Sequence, residues 1–407
     1  MLAQRHRKVK TVAVNPDVLR WARVTSGLDL DAAARKLGIR DTQRGTASGR
    51  LEKLEFGLEQ PSRTLLARMV AQYHRPLLTF YQEATPAIEA RGEDFRRLPE
   101  GESQIDYARA DALIRDVKAR QAIVSAALDD ADEASPLPFV GSMQVTGGVS
   151  AVSASVQELI AFSLDEYRDR PSVSDSFSYL RSKVEASGVF VLLIGDLGSH
   201  HTRIGLETFR GVALSDSVAP FIVINDHDSR AAWSFSLLHE YVHICLGQSG
   251  VSGNDLGTAS DEQFCNDVAS EILLPRADLQ ELRVDSAIPL AAQANLIGEF
   301  ASKRRVSRSM VAYRLFRENR IGRTVWTNLR SEFRAQWHSH LAGQLNVKKP
   351  DGGGPSYYTV KRHRVGGRLL RLVDRMTSNG ALSATKAGKV LGVKPRNVFS
   401  LLAESRA

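Results

Sequence analysis

The sequence predicts a mostly helical α+β protein, on three observations. Two short, apolar, β-branched runs, Val189 to Ile194 and Phe221 to Ile224, read as buried strands. The other periodic segments repeat their apolar residues at helical spacing. Breaks at Pro136 and Pro138, and a hinge at Gly352-Gly353-Gly354-Pro355, divide the 407 residues, too many for one ordinary core. They leave an N-terminal helical bundle, a central part holding a small sheet, and a small C-terminal helical domain.

Asn15 to Tyr81 reads as four short helices. Pro16 suits a helix start, and the pattern through Leu19, Ala22 and Arg23 stops at Gly27. Asp29 caps a second helix with Ala33, Ala34 and Leu37 at core spacing before Gly38. A polar stretch, Arg40 to Arg50, leads to a third helix through Leu51 and Leu54, ended by Gly57, and Pro61-Ser62 opens the fourth. Ser103 to Ser135 reads as one charged, alanine-rich helix, and 155–187 as helical. Helices are expected at 232–247, 261–273 and 288–302, after Ser307, and in a last unit spanning Leu369 to Met376 and Ser383 to Leu402. No internal repeat stands out.

The net charge of +8 conceals an asymmetry of +6 for residues 1–100, −16 for 101–300 and +18 for the last 107. Basic ends suit a polyanionic partner such as DNA, or are simply solvated. No apolar run approaches the ~20 residues a membrane helix needs, and no apolar segment follows the basic residues of the first ten. Cys245 and Cys265 are too few for a disulfide framework, so a reducing, cytoplasmic address is expected, with no membrane partner.

The chemistry centres on His239-Glu240-Tyr241-Val242-His243. Histidines four apart on a helix share a face and can reach one metal ion, here expected to be Zn2+. Glu240 is rotated off that line, free to hold a water and act as a base. A site that leaves a position open for water needs a third ligand from another element. Glu262, at the start of the next helix, is the candidate, reached across the glycine-bearing loop 247–260; Asp255, Asp261, Asp267 and Glu271 compete with it.

The run E-x-x-C-N-x-V-A-x-x-x-L-L-P, from Glu262 to Pro275, resembles the ImmA/IrrE family of metallopeptidases. Phe209-Arg210-Gly211 with Pro220 to Asn225 resembles the strand pair ahead of that family's zinc helix. Asp94-Phe95-Arg96 resembles its short motif after a helix-turn-helix, and Val306-Ser307 through Leu315 its post-catalytic helix. Cys265 stands where alanine is usual and Val268 where phenylalanine is usual. The resemblance implies a zincin-like central domain with His239, His243 and Glu262 as metal ligands, Glu240 as general base, and a repressor-type protein as substrate. His200, His201, His227 and Arg210 are candidates for stabilising the oxyanion.

The pattern Gly27…Ala33…Leu37-Gly38…Leu54-Glu55-Phe56-Gly57…Pro61-Ser62 resembles the phage-repressor (Cro/C1 type) helix-turn-helix family, apart from a longer polar insert before the third helix. That resemblance suits the first module either to DNA or to a protein partner. For DNA, Arg40, Gln43, Arg44, Arg50 and Lys53 are the candidate contacts, with Glu52, Glu55 and Glu59 opposing them. The basic C-terminal segment, with Lys361, Arg362, Arg364, Arg368 and Arg371 ahead of Ser383 to Arg396, has a helix-turn-helix character of its own. The expected division is a helix-turn-helix at 14–82, a linker helix region at 83–150, the peptidase domain at 151–345 and the basic helical domain at 356–407.

Overall fold

The computed structural model describes residues 13–43, 45–86, 104–252, 260–284, 288–346 and 356–406, and over them the chain is a mostly helical α+β protein. It divides into two compact units: 1–91, 98–114 and 197–204 form the first, and 92–97, 115–196 and 205–407 the second. Arg44, the Asp94-Phe95-Arg96 motif, Asp255 and the Gly352 to Pro355 hinge lie outside the described residues.

In the first unit, side-chain caps start the first four α-helices. Asn15, Asp29, Thr46 and Ser62 accept backbone N–H bonds at the starts of α1 (Pro16–Val24), α2 (Leu30–Leu37), α3 (Ala47–Glu55) and α4 (Arg63–Tyr73). Gly38 ends α2 at φ 67°, a left-handed conformation that favours glycine. Leu19, Leu37, Leu51, Leu66, Met69 and Phe80 form the core between the helices. Arg23 and Glu55 cross this core as a bidentate pair, at 2.7 and 3.0 Å, while Arg23 also donates to the Leu28 carbonyl at 2.8 Å. Glu55 is therefore buried and neutralised within the unit, correcting its expected place as an acid facing a partner; Glu52 and Glu59 are exposed.

Helix α5 (Gln104–Asp130) gives residues 104–114 to the first unit and 115–130 to the second. The expected helical stretch 155–187 is divided among α6 (Val149–Leu159), α7 (Leu164–Arg168) and α8 (Val173–Ala186), because Ser163 and Ser172 each cap a new start. The sheet has β1 (Phe190–Leu193), β2 (Gly211–Leu214), β3 (Phe221–Ile224) and β4 (Gly250–Ser252), in the order β1-β3-β2-β4. β1 runs parallel to β3, whereas β2 is antiparallel to both β3 and β4. Asp216 tightens the β2–β3 connection by accepting from the backbone of Val218 and Ala219 at 2.9 and 2.7 Å. β4 lies within the segment expected to be only a loop.

α9 (Arg230–Cys245) packs on β2 and β3, and α10 (Ser260–Leu273) packs against α9 and α6. Next come α11 (Arg276–Leu279), α12 (Leu290–Lys303), α13 (Arg308–Arg317) and α14 (Arg323–Asn346), the last with no sequence-based expectation. The C-terminal helices are α15 (Tyr357–Val365), α16 (Gly367–Ser378), α17 (Ala384–Leu391) and, after a 3-10 turn at Pro395–Asn397, α18 (Val398–Arg406). Within the second unit α15 and α16 pack on β1. Arg364 reaches Asp226 at 2.7 Å and Asp196 at 3.3 Å, so part of the basic cluster is spent on internal ion pairs. Among the described residues no helix is long and apolar enough to cross a membrane.

Candidate metal centre

Helix α9 is buried on nearly every side from Trp233 to Cys245, with Leu237, Leu238, Val242 and Ile244 fully enclosed. A polar side chain in such a helix is costly unless it is paired. His239, Glu240 and His243 are 3, 1 and 5% exposed, so the burial itself calls for compensation.

For the two histidines the compensation comes from α10. The Nε2 atoms of His239 and His243 are 3.1 Å apart, and the Glu262 oxygens lie 3.2 Å from the first and 3.0 Å from the second. A tetrahedral zinc with bonds of about 2.0–2.1 Å sets its ligands about 3.3 Å apart, so the three donors already have nearly the edge lengths of its coordination shell. His239, His243 and Glu262 form a group able to hold a metal ion among the described residues. Two imidazoles and a carboxylate also suit zinc chemically.

An ionised Glu262 brings negative charge to the three donors. Burial would raise the Glu262 carboxyl, but hydrogen bonds from both histidines hold it well below the usual carboxylate range. Burial lowers His239 below an ordinary histidine, which keeps its ring neutral. Burial also lowers His243, but hydrogen bonds to Cys265 and Glu262 outweigh it and leave that ring well above its ordinary value.

The competing carboxylates have other work. Asp267 accepts from Tyr313 at 2.7 Å and pairs with Arg317 at 2.6 Å, Glu271 pairs with Arg314, and Asp261 accepts from Gln248 at 2.7 Å. Cys265 Sγ lies 3.7 Å from His243 Nδ1, the ring nitrogen turned away from Glu262. Of the proposed oxyanion donors, Arg210 pairs with Asp228 at 2.5 Å and His227 Nε2 is 4.0 Å from Asp196. His201 belongs to the segment 197–204 of the first unit.

Two features escaped the sequence reading. Gln248 Oε1 lies 3.0 Å from His243 Nδ1, while its amide donates to Asp261, so the side chain joins the end of α9 to the start of α10. A carbonyl that accepts at Nδ1 presents the Nε2 of a neutral ring to a metal. The other is Gly211: a Cβ there would lie 2.8 Å from Glu240 Cδ and closer still to Oε1, so β2 approaches the carboxylate as only glycine allows. A glycine opposite a buried helix was its only trace in the sequence.

Of the DNA-contact candidates, Arg40, Gln43 and Lys53 are exposed and Arg50 half-buried, its guanidinium donating to the Arg40 carbonyl at 3.1 Å. No curated protein and no solved structure matches the chain. Residues 195–316, which carry β2, β3, α9, α10 and all three metal-binding candidates, match the family model of the IrrE N-terminal-like domain, a peptidase family designated Peptidase_M78, and over that span the chain is similar to a metallopeptidase.

Proposed function

We propose that the chain is a regulatory zinc-dependent endopeptidase coupled to a helix-turn-helix module, cleaving a transcriptional repressor or a similar regulatory protein in the cytoplasm. The observation carrying this reading is the convergence of His239, His243 and Glu262 beside the buried carboxylate of Glu240. Zinc bound by the three side chains would act as a Lewis acid and lower the pKa of water at the site.

The residues divide the remaining work. Glu262 and the Nε2 atoms of both histidines bind the ion, and Gln248 orients His243. Glu240, held under β2 by Gly211, takes a proton from the attacking water and passes it to the departing amine. The module at 14–82 recognises DNA or the substrate, and the central domain at 151–345 cuts. The alternative is a DNA-binding regulator or antitoxin whose peptidase-like domain binds zinc or a partner without turnover; a fourth protein ligand such as Cys245 or Cys265 would favour it, and Cys265 lies instead by the outer nitrogen of His243.

The test pairs wild type with Glu240→Gln, incubated with repressor-type proteins encoded nearby, with and without chelator. The variant should keep its zinc and lose about 10²–10⁴-fold in cleavage rate. Equal rates for the two proteins would overturn the reading.

A further inference from the structure

The chain builds one capped helix twice. In α2, Asp29 caps the start, Ala33, Ala34 and Leu37 are buried, Gly38 turns at φ 67° and Ile39 comes next. In α17, Ser383 caps the start, Ala387, Gly388 and Leu391 are buried, Gly392 turns at φ 64° and Val393 comes next. The register is residue for residue, and each glycine N–H returns to the carbonyls three and four residues before it. The two copies lie in different units, so no shared packing imposes the likeness.

The turn after α17 is held tightly against its helix. A Cβ on Gly388 would meet the Val393 carbonyl at 2.8 Å and the Pro395 nitrogen at 3.2 Å, so the chain beyond Gly392 folds closely onto α17. The Pro395–Asn397 turn then leads into α18, whose Val398, Leu401 and Leu402 are buried. Arg396, Phe399, Ser400 and Ala403 are exposed and fall together on the other face. A first helix, a glycine turn and a second helix with an open face make a helix-turn-helix.

Part of the charge around these two helices is uncommitted. Residues 356–407 hold eleven Lys and Arg against two acids. Arg364, Arg375 and Lys389 are spent on Asp196, Glu133 and Asp116, and the Arg368 guanidinium donates to the Glu185 main-chain carbonyl at 3.3 Å. Lys386, Lys394 and Arg396 are exposed and make no ion pair among the described residues. Exposed cations beside the start of a second helix match the phosphates flanking a major groove.

We propose that α17 and α18 form a second nucleic-acid-binding element that docks on duplex DNA, with Lys386, Lys394 and Arg396 on phosphates and the 399–400 face toward the groove. It is independent of the peptidase reading, and of any DNA contact by the first unit.

The experiment uses full-length protein and a labelled mixed-sequence duplex, titrated over a range of salt. The variants are Lys394→Ala with Arg396→Ala, Arg50→Ala with Lys53→Ala, and all four together. The first pair should weaken binding about tenfold or more and lower the salt slope by about 2, near 0.9 per lost phosphate contact. It should do so in the Arg50/Lys53 background too, with zinc content and cleavage rate unchanged. Lys386→Ala, on the preceding helix, reads the same surface should the first pair melt early. Affinity and slope equal to the parent in both backgrounds would overturn the proposal, as would a loss seen only with an RNA probe.

Discussion

Gly211 of β2 lies so close to Glu240 of α9 that any Cβ at position 211 would run into the carboxylate. The strand thereby sets where the proposed base sits. Gly211→Ala should displace it, lowering cleavage at least about tenfold while His239, His243 and Glu262 keep the metal. The overpacking should cost about 1–3 kcal/mol of stability. Cleavage kinetics and zinc content on one preparation check both statements, and unchanged kinetics would show that the carboxylate is positioned by something else.

Gln248 supplies a second, separable prediction. Without its carbonyl His243 loses the acceptor at Nδ1, and the link to Asp261 is lost with it. Gln248→Ala should weaken zinc binding about 10–100-fold. Competition with a fluorescent chelator measures this, and an unaltered constant would make Gln248 a bystander.

The metal helix was legible in sequence because two histidines four apart fall on one helical face whatever surrounds them. Choosing Glu262 over Asp267 and Glu271 was not possible from local pattern alone. The others are excluded by Tyr313, Arg314 and Arg317, partners more than forty residues away. β2 was foreshadowed only by the resemblance of Phe209-Arg210-Gly211 to one of a strand pair, and β4 was missed because three residues opening on glycine make no apolar run. α14 was missed although Trp326, Leu329 and Phe333 are buried at helical spacing, a stripe too narrow to stand out among charged neighbours. The ends of the first four helices were the most readable part, since Asp29, Gly38 and Ser62 declare them locally.

In the first unit the Arg23–Glu55 pair should dominate mutational cost. Glu55→Ala leaves a buried guanidinium with only the Leu28 carbonyl and should destabilise the unit by about 3–5 kcal/mol. Chemical denaturation monitored by Trp21 fluorescence reads it. A cost below about 1 kcal/mol would mean that water reaches Arg23.

Lys361 gives a pH-dependent prediction. Burial, with Arg120 and Arg364 nearby, pushes its ammonium down to about 8 from an ordinary value of 10.5. Below pH 8 the buried charge costs stability, and the cost is relieved as pH rises from 8 toward the unfolded value. Lys361→Met should therefore raise the melting temperature at pH 7, and the gain over wild type should shrink above pH 8. A gain that does not change with pH would point to packing alone.

The guanidinium of Arg181 donates to the Val191 carbonyl of β1, to His363 O at 2.5 Å and to Arg364 O at 3.4 Å. β1 ends the sheet, and this one side chain ties its outer backbone to α15. A chain cut before α15 would bare a hydrogen-bonding rim four residues long, and bare rims recruit strands from other molecules. The helices after 356 thus cover that rim, and removing them should first be noticed as aggregation on a sizing column.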